Sequence, residues 1–551
     1  MPTLDFKGKQ FVYSHHHSVP FRELVIEDEK SLPEKNKKPS IDDNLIINGD
    51  NLHALKALMP LYAGKVKCIY IDPPYNTGNE GWCYNDNVNS PLMKEWLAKN
   101  ANPVDREDLQ RHDKWLCMMY PRLKLLHELL ADDGVIFVSI DDNEVHHLRA
   151  VMDEIFGDNF IGKFVWRKKE GGGQTDQYFV TEDETILVYQ KSNNFSWIDE
   201  TIEGNDKSFN KEDENGKYTA VKLAKWGNAA RREDRPKQYF SIKSPDEKNV
   251  YPIAPDGNDG RWRVGKKRME LLIESNLIEW QKKSGEWVPY EKVHYVENSV
   301  KVIKERSVIY DLVNTAEATK TLAQIFGKKD LFENPKPYEL IKYLLTYTTR
   351  NNDIILDSFA GSGTTAHAVL DLNKEDGGNR KFILVEMEDY ANSITAERVR
   401  RVINGVETAK DEKLKQGLGG SFTFCKLGDE FNIEKILTGE ALPKYEALAN
   451  YVFYTATGKS LETPAKQKID YFVGETDLFE VYLIYQPDIA FLRSNESALN
   501  AKMVEIISQR STSKKQKLVF ASAKYMGQNE LNDHKIIFCQ LPYAIHKIAG
   551  K

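Results

Sequence analysis

Cys68-Ile69-Tyr70-Ile71 is an apolar run that leads straight into Asp72-Pro73-Pro74-Tyr75. Proline fixes φ and has no N–H to continue a ladder, so a strand here must stop at Asp72 and turn rigidly. The turn presents a carboxylate and backbone carbonyls as fixed acceptors, with an aromatic ring directly behind them. That set suits a planar amine, whose lone pair is conjugated with its ring and is a poor nucleophile. Hydrogen bonds from its two N–H groups to Asp72 and to the Pro73 carbonyl would push the nitrogen toward sp³ geometry. Its lone pair would then point at an electrophilic carbon, which is catalysis by orientation and preorganised electrostatics. Tyr75 would stack on the ring that carries the amine. A Pro-Pro turn with a surface tyrosine is common without any such role, but less so with an acid directly at the strand end.

A second constellation begins at Ile354-Ile355-Leu356-Asp357 and continues Ser358-Phe359-Ala360-Gly361-Ser362-Gly363-Thr364-Thr365 before a helix-like stretch. Glycines at a strand-to-helix turn let the backbone approach a ligand, and the helix N-terminus favours an anionic group. No Lys follows Gly363, so this is not a P-loop, and the third glycine of a dinucleotide fingerprint is missing. Roughly twenty residues on, a further strand ends in Glu386, where an acid could hold ribose hydroxyls. A Gly-rich turn and an acid without phosphate machinery suit S-adenosylmethionine, whose only anion is a carboxylate. Alone, the two glycines would equally well make a bare turn.

The elements that must position these groups are short apolar strands, Leu45–Asp50, Val66–Asp72, Val135–Ile140, Ile354–Asp357 and Lys381–Glu386, each followed by helical periodicity. Apolar character on both faces implies central parallel strands covered by helices, an α/β doubly wound class. Phe160–Trp166 and Glu184–Gln190 read as edge strands or a hairpin. The 551 residues exceed one ordinary core. The expected division is an N-terminal segment (1–40), a first core part (41–194), an insert (195–330), a second core part (331–424) and a small C-terminal α/β domain (425–551). The net charge of −7 excludes a generally basic coat protein but not a local basic surface. Five scattered cysteines without a CxxC pair argue against structural zinc and disulfides and fit a reducing cytoplasm. No membrane span or signal peptide is expected. No metal is expected either, and His15-His16-His17 reads as part of a solvated segment.

Taken together, D-P-P-Y and F-A-G-S-G-T resemble the catalytic and cofactor motifs of the DNA amino-methyltransferase family. Their order, with the insert between them, resembles its β (circularly permuted) group. The resemblance implies a Rossmann-like S-adenosylmethionine-dependent sheet, circularly permuted, with a target-recognition domain as the insert. It implies Asp72, Pro73, Pro74 and Tyr75 as catalytic residues acting on a base flipped out of double-stranded DNA. It implies cofactor contacts from Asp50 and Asn51 in Asn48-Gly49-Asp50-Asn51, and from Lys336 in the Pro335-Lys336-Pro337 segment. Asp357, Phe359, Gly361, Gly363, Thr364 and Glu386 complete that set. The leading Asp accompanies adenine N6 in the family, and Ser in its place more often accompanies cytosine N4. Cys539-Gln540 lacks the preceding Pro of cytosine-C5 enzymes and reads as a strand cysteine.

The layout most resembles the modification (Mod) subunit of type III restriction-modification systems, with Gly260-Arg261-Trp262-Arg263 and Leu541-Pro542-Tyr543 as supporting pieces. Such a subunit implies a homodimer and a separate nuclease-helicase restriction subunit, since this chain has neither a P-loop nor a PD-(D/E)xK constellation. A binding-only subunit would need neither motif. In the insert, Lys222, Lys225, Arg231, Arg232, Arg235 and Lys237 put six basic residues against two acids within 221–240. They form the candidate phosphate-contacting surface, although a solvated loop explains them nearly as well. The Gly171-Gly172-Gly173-Gln174 turn reads as a loop beside the DNA or as a linker.

Overall fold

A computed structural model describes residues 3–78, 110–171, 178–203, 209–294, 300–329, 331–431, 442–463, 465–510 and 513–541. Cys83, the Gly172-Gly173-Gln174 turn and Pro542-Tyr543 lie outside these residues.

Among the described residues one mixed sheet has 10 strands. In chain order they are β1 (Arg22–Ile26), β2 (Leu45–Asn48), β3 (Val66–Ile71), β4 (Leu130–Ile140) and β5 (Phe160–Arg167). Then follow β6 (Asp183–Gln190), β7 (Val308–Ile309), β8 (Ile354–Asp357), β9 (Lys381–Glu386) and β10 (Thr423–Glu430). Their order across the sheet is β1-β10-β2-β9-β8-β3-β4-β6-β5-β7. The run β10-β2-β9-β8-β3-β4 is parallel throughout, and β6 is antiparallel to both β4 and β5. The two strands expected as edge strands or a hairpin, β5 and β6, do pair antiparallel, but neither is at the edge, because β7 lies outside β5.

Alternation along each strand divides the core in two. Ile69, Ile71, Leu356, Ile383 and Val385 point to one face, and Cys68, Tyr70, Ile355, Phe382 and Leu384 to the other. Helices α1 (Asn51–Tyr62) and α2 (Arg111–Leu129) cover the first face. Helices α3 (Tyr338–Thr346), α4 (Thr364–Asp376) and α5 (Glu397–Asn404) cover the second. Because both faces are dry, the central strands read as continuous apolar runs, which is what makes them legible in the sequence. Every parallel strand ends at the same edge of the sheet, so Asp50, Asp72, Asp357 and Glu386 follow or close neighbouring strands there.

Residues 1–40 are not a free segment: β1 pairs antiparallel with β10. His15 and His16 are 7% and 5% exposed, against the solvated segment expected, and Lys56 Nζ donates to the His16 carbonyl at 2.8 Å. Three histidines in a row carry no hydropathy signal for burial, so only packing could reveal it. The imidazoles of His16 and His17 also bring ligand-type atoms within 4.8 Å of a Glu128 oxygen.

Asp199–Glu305 forms a compact unit of its own, narrower than the 195–330 range expected from composition. It holds a four-stranded antiparallel sheet of Lys211–Asp213, Gly216–Lys222, Ile278–Lys283 and Glu286–His294. A small core packs around Leu223, Ile242, Trp262 and Leu272. Residues beyond 305 rejoin the main sheet through β7, so the change in backbone pairing does not coincide with the change in composition. The tail adds α6 (Tyr445–Thr457) and a sheet of Phe472–Glu475, Phe479–Leu483, Gln516–Ala521 and Ile536–Gln540. It belongs to the same compact unit as the main sheet, with Ser460 Oγ donating to the Ala63 carbonyl at 2.9 Å.

Leu356 is fully buried at the centre of the sheet. Leu356→Ala should cost about 2–5 kcal/mol of unfolding free energy by chemical denaturation. A loss under about 1 kcal/mol would mean that β8 is not a central strand.

Candidate active site

The turn after β3 is held from behind. Trp115 Nε1, on α2, donates to the Pro74 carbonyl at 2.7 Å. Asn76 follows in the left-handed region (φ 61°), is fully buried, and donates through Nδ2 to Glu144. Glu144, itself 0% exposed, is also 2.6 Å from His112 Nδ1 and 2.8 Å from His147 Nδ1. Short polar side chains tolerate this conformation best, which explains an asparagine directly after the tyrosine. The result is a turn held through Pro74 and Asn76 by buried groups of the protein.

Asp72 is not a free acid. Tyr75 Oη donates to its Oδ1 at 2.7 Å. Lys336 Nζ lies 2.9 and 2.8 Å from its two oxygens and 2.9 Å from Tyr75 Oη. The same ammonium is 3.2 Å from Glu184 Oε1, on the buried start of β6. Burial works against the Lys336 charge, but Asp72 and Glu184 outweigh it, and its pKa lies above the ordinary value. Burial first, then Asp72 and Glu184, hold the Tyr75 phenol protonated, hence a donor. Lys336, expected beside the cofactor, thus sits on Asp72, the acid expected to be catalytic, in this structure.

The turn after β8 is braced by buried charge. Gly361 and Gly363 have φ of 51° and 79°, and a Cβ at Gly363 would lie 3.0 Å from the Thr395 carbonyl oxygen. Glycine is needed there because any larger residue would be strained and crowded. Asp357 accepts from Phe359 N–H at 3.0 Å and from Thr365 Oγ1 at 2.5 Å. Burial pushes its carboxyl up to about 7, against those two hydrogen bonds and with help from Asp72 and Glu386. Glu386 accepts from Gly361 N–H at 2.8 Å and from Glu388 N–H at 3.0 Å. Thr364 Oγ1 accepts from Arg398 at 2.7 Å and Ser362 Oγ from the same guanidinium at 2.9 Å. Burial lowers the Arg398 pKa to about 10.

Asp50 and Asn51 open α1 beside this turn. Asp50 caps the helix by accepting from His53 N–H at 3.1 Å, and Asn51 Nδ2 donates to the Ser358 carbonyl at 3.1 Å. Arg122, 3% exposed on α2, reaches Asn51 Oδ1 and lies 3.3 Å from Asp50 Oδ2. The structure therefore brings together all thirteen catalytic and cofactor residues expected from the motifs. It adds Glu184, Arg122, Arg398 and Glu144, which no motif flagged. A signal existed for two of them: Arg122 interrupts an apolar helix and Glu184 opens an apolar strand, and a charge in either place must find a partner.

The donor set fits S-adenosylmethionine. Asp50, Asp357 and Glu386 gather at the turn with its two glycines, and the cations beside it are already engaged, Arg398 by Ser362 and Thr364 and Arg122 by Asp50 and Asn51. Ser358 Oγ is buried there without a hydrogen-bond partner among the described residues. The aromatic ring of Phe332 comes within 3.2 Å of a Gly361 Cβ position. Acids complement a ligand whose charges are an ammonium, a sulfonium and one carboxylate.

The residues 66–397 match the family model described as DNA methylase. The chain belongs to the DNA methylase family. S-adenosylmethionine is the cofactor of this DNA methylase, and its α/β sheet is the Rossmann-like sheet of that family with an inserted domain. It is 33% identical over 462 residues to the type III restriction-modification enzyme EcoPI Mod subunit of Escherichia phage P1, covering 75% of this chain and 70% of that one. To the StyLTI Mod subunit of Salmonella typhimurium LT2 it is 33% identical, covering 71% and 59%. To the type II methyltransferase M.KpnI of Klebsiella pneumoniae it is 36% identical, covering 61% and 79%.

The six basic residues lie in the Asp199–Glu305 unit. Arg231 and Arg232 are exposed but paired, with Asp256 at 2.8 Å and Asp259 at 3.1 Å. Lys222, Arg235 and Lys237 are exposed and Lys225 half-buried. None of the four has an ion pair among the described residues. In Gly260-Arg261-Trp262-Arg263 the first three residues are buried and Arg263 is exposed: Trp262 is fully buried and Arg261 donates to the Ala229 carbonyl at 2.6 Å. Cys539 is buried in the C-terminal sheet, and burial pushes its thiol up to about 11. Among the described residues no helix is long and apolar enough to cross a membrane.

An acid raised to about 7 in the fold stabilises it fully below its unfolded value and ceases to do so as the pH rises through about 7. Wild-type unfolding free energy should therefore fall between about pH 4 and 7, where the folded but not the unfolded acid holds its proton, and Asp357→Asn should flatten that fall. Equal slopes in urea titrations would remove Asp357 as its source.

Proposed function

We propose that this DNA methylase methylates adenine N6 of a base flipped out of double-stranded DNA, as the modification subunit of a type III restriction-modification system. The observation that carries the reading is the pairing of β3 with β8, Ile69 opposite Leu356, which sets Asp72 beside the Gly-rich turn. When bound, S-adenosylmethionine supplies an electrophilic methyl on sulfonium. Asp72 and the Pro73 carbonyl accept the two N–H groups of the amine and turn its lone pair toward that methyl. Tyr75 stacks on the flipped base, because the amine is out of reach inside the duplex. Asp50, Asn51, Asp357, Phe359, Gly361, Gly363, Thr364 and Glu386 form the cofactor's bed. Lys222, Lys225, Arg235 and Lys237, with Arg231 and Arg232 less free to do so, meet phosphates.

Adenine is favoured by the leading Asp of D-P-P-Y. The Mod role is favoured by the two Mod relatives, and it implies two copies of the chain, a separate nuclease-helicase subunit and action in the cytoplasm. The similarity to M.KpnI favours a second reading, a stand-alone methyltransferase. Light scattering of a mixture with a candidate nuclease-helicase subunit separates them: a joint particle supports the Mod role, and its absence supports the second.

Asp72→Ala should lower methyl transfer at least about a hundredfold while cofactor affinity is unchanged. Sequencing methylated bases in cells expressing wild type or Asp72→Ala checks this. Methylcytosine in the wild type would overturn the adenine reading, and full activity in the variant would overturn the mechanism.

A further inference from the structure

The acid that must receive the amine is already engaged. Both Asp72 oxygens lie within 2.9 Å of Lys336 Nζ, and Tyr75 Oη occupies Oδ1 as well. Oδ1 already has two donors, so an incoming N–H must share Oδ2 with Lys336 or displace a donor from Oδ1. Tyr75 can leave at little electrostatic cost, since it is neutral. Lys336 is the harder case, because methyl transfer moves positive charge from sulfonium onto the amine nitrogen. An ammonium fixed on the same carboxylate would oppose that charge just where it forms.

The structure also holds a second place for the ammonium. Glu184 Oε1 is buried, and the Lys336 ammonium, 3.2 Å away without good hydrogen-bond alignment, is its one donor among the described residues. A buried carboxylate oxygen so poorly satisfied is costly, and a closer approach of the ammonium would relieve it. Lys168, 3.9 Å from the other oxygen, is the remaining cation beside it. The antiparallel direction of β6 is what puts Glu184 here, because its start lies at the edge where β3 ends.

We propose that Lys336 is a two-position positioning residue: it rests on Asp72 before DNA enters and shifts fully onto Glu184 when the amine takes its place. The shift is one of hydrogen bonds only, and no bond is made or broken. This rests on the reading of Asp72 as the amine's acceptor. It makes Glu184 a residue that touches neither DNA nor cofactor yet governs the chemical step. It also separates Lys336 from a role as a cofactor ligand, which the Pro-Lys-Pro resemblance implied.

The test uses the full chain, unmodified genomic DNA and methyl-labelled S-adenosylmethionine. Glu184→Gln keeps the shape but removes the resting place, so Lys336 stays on Asp72. Its kcat should fall about tenfold or more, with KM for DNA and Kd for the cofactor within about twofold of wild type. The double variant Lys336→Met/Glu184→Gln, with no ammonium left to obstruct Asp72, should regain about tenfold in kcat over Glu184→Gln alone. Packing damage alone would leave the double variant no better than the single, and that result would overturn the proposal. A silent Glu184→Gln together with a raised cofactor Kd in Lys336→Met would overturn it in favour of a cofactor ligand. Failure of the underlying reading looks different: Asp72→Ala would then retain full activity.

Discussion

Strands β3 and β8 lie next to each other and parallel, and the site exists because of that pairing. One ends in Asp72, the other in Asp357 and the Gly-rich turn, and they come from opposite sides of the inserted unit. Parallel neighbours expose their C-terminal ends at one edge, the usual crevice of an open α/β sheet. A permuted chain can use that crevice as well as an unpermuted one, because strand order across the sheet decides adjacency and sequence order does not. The same constraint brings Lys336 to Asp72 across 264 residues.

What holds the crevice open is buried charge rather than apolar packing. Asp357, Glu386, Arg398, Arg122 and Glu144 are each buried, and their hydrogen bonds go mostly to backbone and short polar side chains, with two histidines added at Glu144. Such groups are costly to desolvate and stabilise little by comparison with an apolar replacement. Their effect is to fix positions: Arg398 holds Ser362 and Thr364, Arg122 holds Asp50 and Asn51, and Glu144 holds Asn76. A carboxyl raised to about 7 at the heart of the sheet is stability given up for a turn of fixed shape.

The inserted unit follows different rules. Its core is small, and its largest fully buried side chain, Trp262, is flanked by two arginines in the sequence. Arg231 and Arg232 are neutralised by Asp256 and Asp259, which lie far enough along the chain that local charge counting misses them. A basic run in a sequence therefore overstates the positive surface it yields. Four of its six cations remain without an ion pair among the described residues.

The sequence by itself determined the motifs, their order and the parallel class of the sheet, because central strands buried on both faces must be apolar along their length. It determined Asp72-Pro73-Pro74-Tyr75 as a rigid strand end, since proline acts locally. It also located Asp50, Asn51, Asp357, Gly361, Gly363 and Glu386, each at a strand end or turn. Only the tertiary structure decided who meets whom: Lys336 on Asp72 rather than apart from it, Glu184 behind both, and His15 and His16 of the N-terminal segment inside. Those are contacts between residues hundreds of positions apart or on antiparallel neighbours, and no local pattern encodes them. Propensity and spacing act over a few residues, whereas the charge environment of a buried acid is set by every strand that ends beside it.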